Sequence, residues 1–236
     1  MEISSSYYEN GSILGKFRGL NLDKINKLLN NLFINKEIKE GFFFESKYKN
    51  SSDLRPNVID YDQCFLDVLF ESKVNELLFK NIGSDYVLSH IQVRRLDAGN
   101  TYLDWHRDSY NYGTRVGDFP PAHKIIYHPL LDGISAESKL VVSRASHLRV
   151  YNSKFYDFFH NILSLNKFKT DKYYPSNENF MLFNGGAFHK VCSDKKPSIC
   201  LIYSFLRKNQ IISNPKRFTE LNHRTVLKYE EKLFNK

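Results

Sequence analysis

The stretch Tyr102-Leu-Asp-Trp-His-Arg-Asp108 decides how the rest of the sequence is read. On an extended backbone, residues two apart project to the same side, so His106 and Asp108 share a face. An imidazole and a carboxylate converging there are two of the three groups of the facial triad that holds non-heme Fe(II) with open positions. Among eight histidines and 26 acidic residues such a pair alone means little. A metal site also needs a third ligand and a fold that delivers it.

Downstream, Phe183-Asn-Gly-Gly-Ala-Phe-His189 sets a second histidine just after a strand and a Gly-Gly turn. Around these two stretches the texture is strand-like. Tyr86–Leu96 alternates, with His90, Gln92 and Arg94 on one face and Ile91 and Val93 on the other. Asp97-Ala-Gly-Asn is a turn leading to a strand over Thr101–His106, whose alternation puts Tyr102 and Asp104 on the face of His106. Further strands are predicted at Lys124–Leu131, Ser138–Val142, Asn179–Phe183 and Ser198–Leu206. Many short strands with Gly and Pro punctuation indicate a sandwich or barrel.

Helices flank this region. Asn21–Ile34 carries Leu22, Ile25, Leu28, Leu29 and Leu32 at helical spacing behind an Asn21 cap. A strand is expected at Phe42–Phe44. Asp60–Lys80 reads as one or two helices with Phe65, Leu69, Leu77 and Leu78 inward, ended by Gly83. Ser153–Leu165 is amphipathic and aromatic, which predicts a helix packed on a sheet, and Lys216–Lys236 predicts a charged surface helix. No repeat or linker interrupts the chain. The expectation is one domain over 1–236: a helical layer over 1–84, a strand-rich core over about 85–207 and a C-terminal helix over about 215–236.

The order His-x-Asp, a long interval, then a histidine after a turn resembles the Fe(II)/2-oxoglutarate-dependent oxygenases, and within them the phytanoyl-CoA dioxygenase-like group. Trp-His-Arg-Asp-Ser at 105–109 is similar to that group's iron-binding strand. Lys139-Leu-Val-Val-Ser-Arg-Ala-Ser-His147 resembles its segment ending in a Pro-Gly-Ser-His-like turn. The resemblance covers roughly residues 85–207. It implies a mainly β chain with flanking helices, folded as a double-stranded β-helix (a cupin-like jelly roll), with Fe(II) on His106, Asp108 and His189. It further implies 2-oxoglutarate as co-substrate and O2 as oxidant in the hydroxylation of an unactivated C–H of a small molecule. An aspartate at the carboxylate position favours hydroxylation or desaturation over halogenation.

The family commonly anchors the far carboxylate of 2-oxoglutarate on an arginine two residues before a serine. Here that register gives Lys196-Pro-Ser198, so Lys196 is expected to supply the charge and Ser198 a second donor, with Lys195 or Arg94 as alternatives. Tyr102, Asp104 and Arg144 are candidates for contacting substrate. His90, His123, His128, His147 and His160 read as structural or surface groups, with His128 or His147 able to reach the pocket.

Composition sets the remaining bounds. Three cysteines without C-x-x-C spacing give neither a disulfide framework nor a zinc motif. No apolar run reaches the ~18 residues of a membrane span, and Met-Glu-Ile-Ser-Ser-Ser lacks a signal-peptide pattern. The expected setting is therefore cytoplasmic. The formal charge of +8 suits an anionic small molecule, but its lysines are dispersed. No basic stripe interleaved with aromatics marks a nucleic-acid groove. The rival functions are a jelly-roll protein that binds metal without catalysis, and an oxygenase of protein side chains or nucleic acid.

Overall fold

A computed structural model describes residues 6–17, 22–33, 54–56, 58–72, 74–84, 86–99, 105–108, 122–149, 155–157, 159, 169–192, 195–207 and 219–234. Helix α1 (Ser6–Asn10) leads into β1 (Ser12–Lys16), then α2 (Asp23–Phe33), β2 (Leu54–Pro56), α3 (Cys64–Glu71) and α4 (Val74–Ile82). The strand-rich part follows as β3 (Tyr86–Leu96), β4 (His123–Tyr127), β5 (Lys139–Ser143), β6 (Thr170–Tyr173), β7 (Asn179–Asn184), β8 (His189–Cys192) and β9 (Ser198–Arg207). Helix α5 (Thr219–Phe234) comes last.

The strands form two antiparallel sheets, one ordered β1-β7-β4-β9-β3-β2 and the other β6-β5-β8. Strands distant in sequence become neighbours: β4 lies between β7 and β9, and β5 between β6 and β8. That is jelly-roll topology, with the sheets as facing layers.

Alternation along the larger sheet gives it two apolar faces. Ile91, Val93, Ile125, Leu182, Leu201, Tyr203 and Phe205 face the helical layer, where Leu29, Phe65, Leu66, Leu69 and Leu78 are buried against them. The opposite face sends Ile126, Met181, Phe183, Cys200 and Ile202 toward Leu140, Val142 and Tyr173 of the smaller sheet. Two covered faces explain why β9 is apolar at most positions, while β3 carries Gln92 and Arg94 on the face that lines the space between the sheets.

Several elements differ from the sequence expectation. The strand predicted to run to Leu131 stops at Tyr127. Past that point the His128 N–H goes to the Tyr173 hydroxyl, its carbonyl accepts from Ser176, and Pro129 has no donor. Strand β6 was not expected, because Thr-Asp-Lys-Tyr buries only Tyr173 and pairing with β5 makes it a strand. Of the helix predicted over Ser153–Leu165, residues 155–157 and 159 are described as helical, but Phe155 and Phe159 are exposed rather than packed on a sheet.

The C-terminal helix is no mere surface element. Tyr229 and Thr225 are buried, the Tyr229 hydroxyl donates to Asn75, and Lys228 and Lys232 pair with Asp60 and Asp67. The expected strand at 42–44 and the Asn21 cap lie outside the described residues. Among the described residues no helix is long and apolar enough to cross a membrane.

Candidate metal centre

The site begins as a backbone event. The His106 N–H donates to the His189 carbonyl at 3.1 Å, and the His189 N–H donates to the His106 carbonyl at 2.9 Å. Residues directly opposite in an antiparallel bridge carry side chains on one face, and Asp108 regains that face two residues on. The Asp108 N–H is fixed in turn on the Gly185 carbonyl at 2.7 Å. Gly185 sits so close that a Cβ there would stand 2.7 Å from the Ala122 carbonyl oxygen and 3.1 Å from the Asp108 Cβ.

The three side chains therefore converge. One ligating atom from each of His106, Asp108 and His189 lies within 4.8 Å of the other two. His189 Nε2 is 3.2 Å from Asp108 Oδ2, and His106 Nε2 is 3.8 Å from Asp108 Oδ1. Adjacent ligands of one octahedral ion, each bound at about 2.1 Å, stand about 3 Å apart, so the spacing and the N,N,O donor set fit a first-row divalent metal. His189 Nδ1 is 2.9 Å from the Ala187 carbonyl, which can only accept. Nδ1 therefore carries a proton, and Nε2, the nitrogen beside Asp108, is the atom turned toward the site.

Electrostatics keep the carboxylate ready to bind a cation. Burial alone would push the Asp108 carboxyl up. Lys124, whose Nζ is 2.7 Å from Asp108 Oδ2, together with His189 and His106, outweighs burial and holds it well below the ordinary carboxylate range. Lys124 is the functional residue that sequence reasoning missed. Its signal was legible: in Lys124-Ile-Ile-Tyr127, alternation puts Lys124 on the face of Ile126, although a lysine is ordinarily assigned to solvent. Burial, followed by Lys124, lowers His90 to about 3 and keeps its ring neutral.

The triad lines a cavity between the sheets. The larger sheet contributes Gln92, Arg94, Lys124 and Ser198 among apolar neighbours, and β8 contributes Val191. Arg94 faces Cys200 across the ladder, with Ser198 on the next inward position of β9. Burial raises the Cys200 thiol to about 11, so it stays protonated.

The structure does not bring Lys196 to this cavity. Residues 195 and 196 form a bend and are exposed, and β9 begins only at Ser198, so the inward alternation of Ser198 does not extend back to Lys196. Arg144 is also elsewhere, paired through Nε with Asp171 of β6 at 2.6 Å. Tyr102 and Asp104 lie outside the described residues. His128 and His147 do not line the cavity: His128 is enclosed beside Tyr173, and His147 Nε2 lies 2.8 Å from the Tyr8 carbonyl.

No protein-family model and no curated protein matches the sequence. Solved structures do. EctD from S. alaskensis with bound Fe aligns at TM-score 0.67 and 12% identity, over 92% of this chain and 82% of that one. The non-heme alpha ketoglutarate dependent epimerase SnoN of nogalamycin biosynthesis aligns at 0.62 and 10%, over 86% and 80%. HygX from Streptomyces hygroscopicus, with nickel and 2-oxoglutarate bound, aligns at 0.63 and 7%, over 90% and 91%. The chain therefore has the double-stranded β-helix fold of these iron- and 2-oxoglutarate-linked proteins, with its own His, Asp and His gathered inside it.

Proposed function

We propose that the protein is an Fe(II)- and 2-oxoglutarate-dependent dioxygenase that hydroxylates an unactivated C–H of a small anionic molecule. The observation that carries this reading is the convergence of His106, Asp108 and His189 in the wall of an inter-sheet cavity that Arg94 also lines. Such a centre supplies the oxidising chemistry when bound: 2-oxoglutarate, O2 and R–H give succinate, CO2 and R–OH.

The chain's own residues have separable tasks. His189 presents Nε2 because Ala187 holds the proton on its other nitrogen. Lys124 keeps Asp108 ionised and occupies its Oδ2, leaving Oδ1 turned toward His106. Arg94 and Ser198 take the far carboxylate of 2-oxoglutarate in place of Lys196, because they line the cavity and the lysine does not. Ile126, Phe183, Val191 and Ile202 exclude water from the reacting atoms. An anionic substrate is favoured by the net charge of +8.

The test is succinate release from 2-oxoglutarate with Fe(II), ascorbate and O2, measured alone and over a panel of small carboxylates and phosphates. Turnover that requires Fe(II) and rises with one panel member is the expected result. No succinate under any condition would overturn the reading and favour a non-catalytic jelly-roll protein.

A further inference from the structure

Arg107, between the two ligands of the His-x-Asp pair, points away from the cavity into the protein. Its side chain is 2% exposed. All five of its N–H donors are used. Nε and Nη2 form a fork on the Asp157 carboxylate, at 2.8 and 2.9 Å. Nη1 donates to the Ser146 carbonyl at 2.8 Å and also to the Gly186 carbonyl, and Nη2 donates to the Arg149 carbonyl at 2.9 Å. The guanidinium lies 4.1 Å over the Phe188 ring.

These partners belong to three separate segments. Gly186 and Phe188 lead into His189, while Ser146 and Arg149 form the turn after β5. That turn is itself tied to the histidine arm, because the Phe188 N–H donates to Ser146 Oγ at 2.8 Å. The third segment is the helical backbone around Asp157. There Phe155 and Phe159 are exposed while the carboxylate is buried, the reverse of what polarity alone would give. Arg107 accounts for that inversion: its charge needs a desolvated partner, and Asp157 supplies a planar one.

We propose that Arg107, held by Asp157, is a positioning residue for the metal centre. It fixes the segment bearing His106 and Asp108 against the segment bearing His189, so that metal affinity depends on a carboxylate outside the cavity. The proposal rests on the assignment of those three residues as metal ligands. A lysine could not substitute, since one ammonium cannot span four acceptor groups set around a plane.

The experiment measures Co(II) affinity and the Co(II) ligand-field spectrum of the full chain, with Asp157→Asn and Arg107→Lys beside the unmutated protein. Thermal unfolding of each metal-free protein is recorded in parallel. Outer-shell changes typically cost about 10- to 100-fold in metal affinity. A loss in that range with an altered spectrum, in protein that remains folded, is expected for both variants. Asp157→Glu, which keeps the charge but displaces it, should fall between. If Asp157→Asn does not fold, Asp157→Glu decides the question by the same two readouts. Unchanged affinity and spectrum in a folded variant, whatever its unfolding temperature, would make Arg107 a structural staple only and overturn the proposal. An unmutated protein that binds no Co(II) would instead remove the ligand assignment on which the proposal rests.

Discussion

His106 and His189 exchange both of their backbone hydrogen bonds, so the two imidazoles are placed as a directly opposed cross-strand pair with ring centroids 4.3 Å apart. The geometry of the candidate ligands thus follows from strand register rather than from side-chain reach. A slip of one residue in either strand would turn a ligand to the far face.

The close approach of Gly185 to Asp108 makes the first prediction. Gly185→Ala forces a Cβ against the Ala122 carbonyl oxygen at 2.7 Å and against Asp108. Overpacking of this kind costs about 1–3 kcal/mol. Urea unfolding should show that loss, and a metal titration should show affinity at least about tenfold weaker, because the shift is transmitted to a ligand. Wild-type affinity in the variant would mean that Asp108 is not held by this contact.

Arg94 and Lys196 compete for one role. Loss of a charged hydrogen bond costs about 1.5–3 kcal/mol, roughly 10- to 150-fold in binding. Anaerobic titration of 2-oxoglutarate into the Fe(II) protein should show that loss in Arg94→Met and none in Lys196→Met. The opposite pattern would return the role to the exposed lysine.

The core strands and the His-x-Asp…His order were legible because alternation and metal-ligand chemistry are local signals. Tyr86–Leu96 and Ser198–Leu206 stand almost where periodicity put them. Lys196 falls outside the cavity because a two-residue register before Ser198 assumes that the strand continues backward, whereas Lys196 lies in a bend. Lys124 and Arg107 were missed for a different reason: alternation gives the face of Lys124 but not the group it pairs with. A buried charge is stable only through partners far along the chain, Asp108 for one and Asp157 for the other, and no local pattern announces such a partner.

Lys124 gives a pH prediction. It is the largest influence lowering the Asp108 carboxyl, so Lys124→Met should raise that group toward or above the ordinary range. Protons then compete with metal at higher pH. The acid limb of a metal-binding pH profile should move to higher pH in the variant. An unmoved limb would show that Lys124 does not control the ionisation of Asp108.

Burial lowers His128 to about 4, and neither ring nitrogen has a hydrogen-bond partner among the described residues. The unfolded chain binds this proton near pH 6.5 and the folded one only near 4. Stability is therefore lost as pH falls between those values, by about 3 kcal/mol at most. His128→Phe should be at least as stable at pH 7 and should lose less stability between pH 7 and 4.5. Equal losses in both proteins, by urea unfolding, would rule out this histidine as a source of acid sensitivity.

Ala145 holds φ at 58° in the turn after β5, where the resembled Pro-Gly-Ser-His pattern has glycine. The left-handed conformation costs an L residue about 1–2 kcal/mol, against about 0.5–1 kcal/mol for the extra unfolded-chain freedom of glycine. Ala145→Gly should therefore stabilise the protein by up to about 1 kcal/mol, or raise Tm by roughly 1–4 °C. A lowered Tm would mean that the Ala145 methyl is worth more in packing than its backbone costs.

The most direct measurement is anaerobic equilibrium binding of Fe(II) to the unmutated protein and to His106→Ala, Asp108→Ala and His189→Ala, each checked for native circular dichroism. One Fe(II) per chain in the unmutated protein and at least about 100-fold weaker binding in every variant is the predicted result. No Fe(II) bound by the unmutated protein, or wild-type affinity in any one of the three folded variants, would contradict the assignment of this centre.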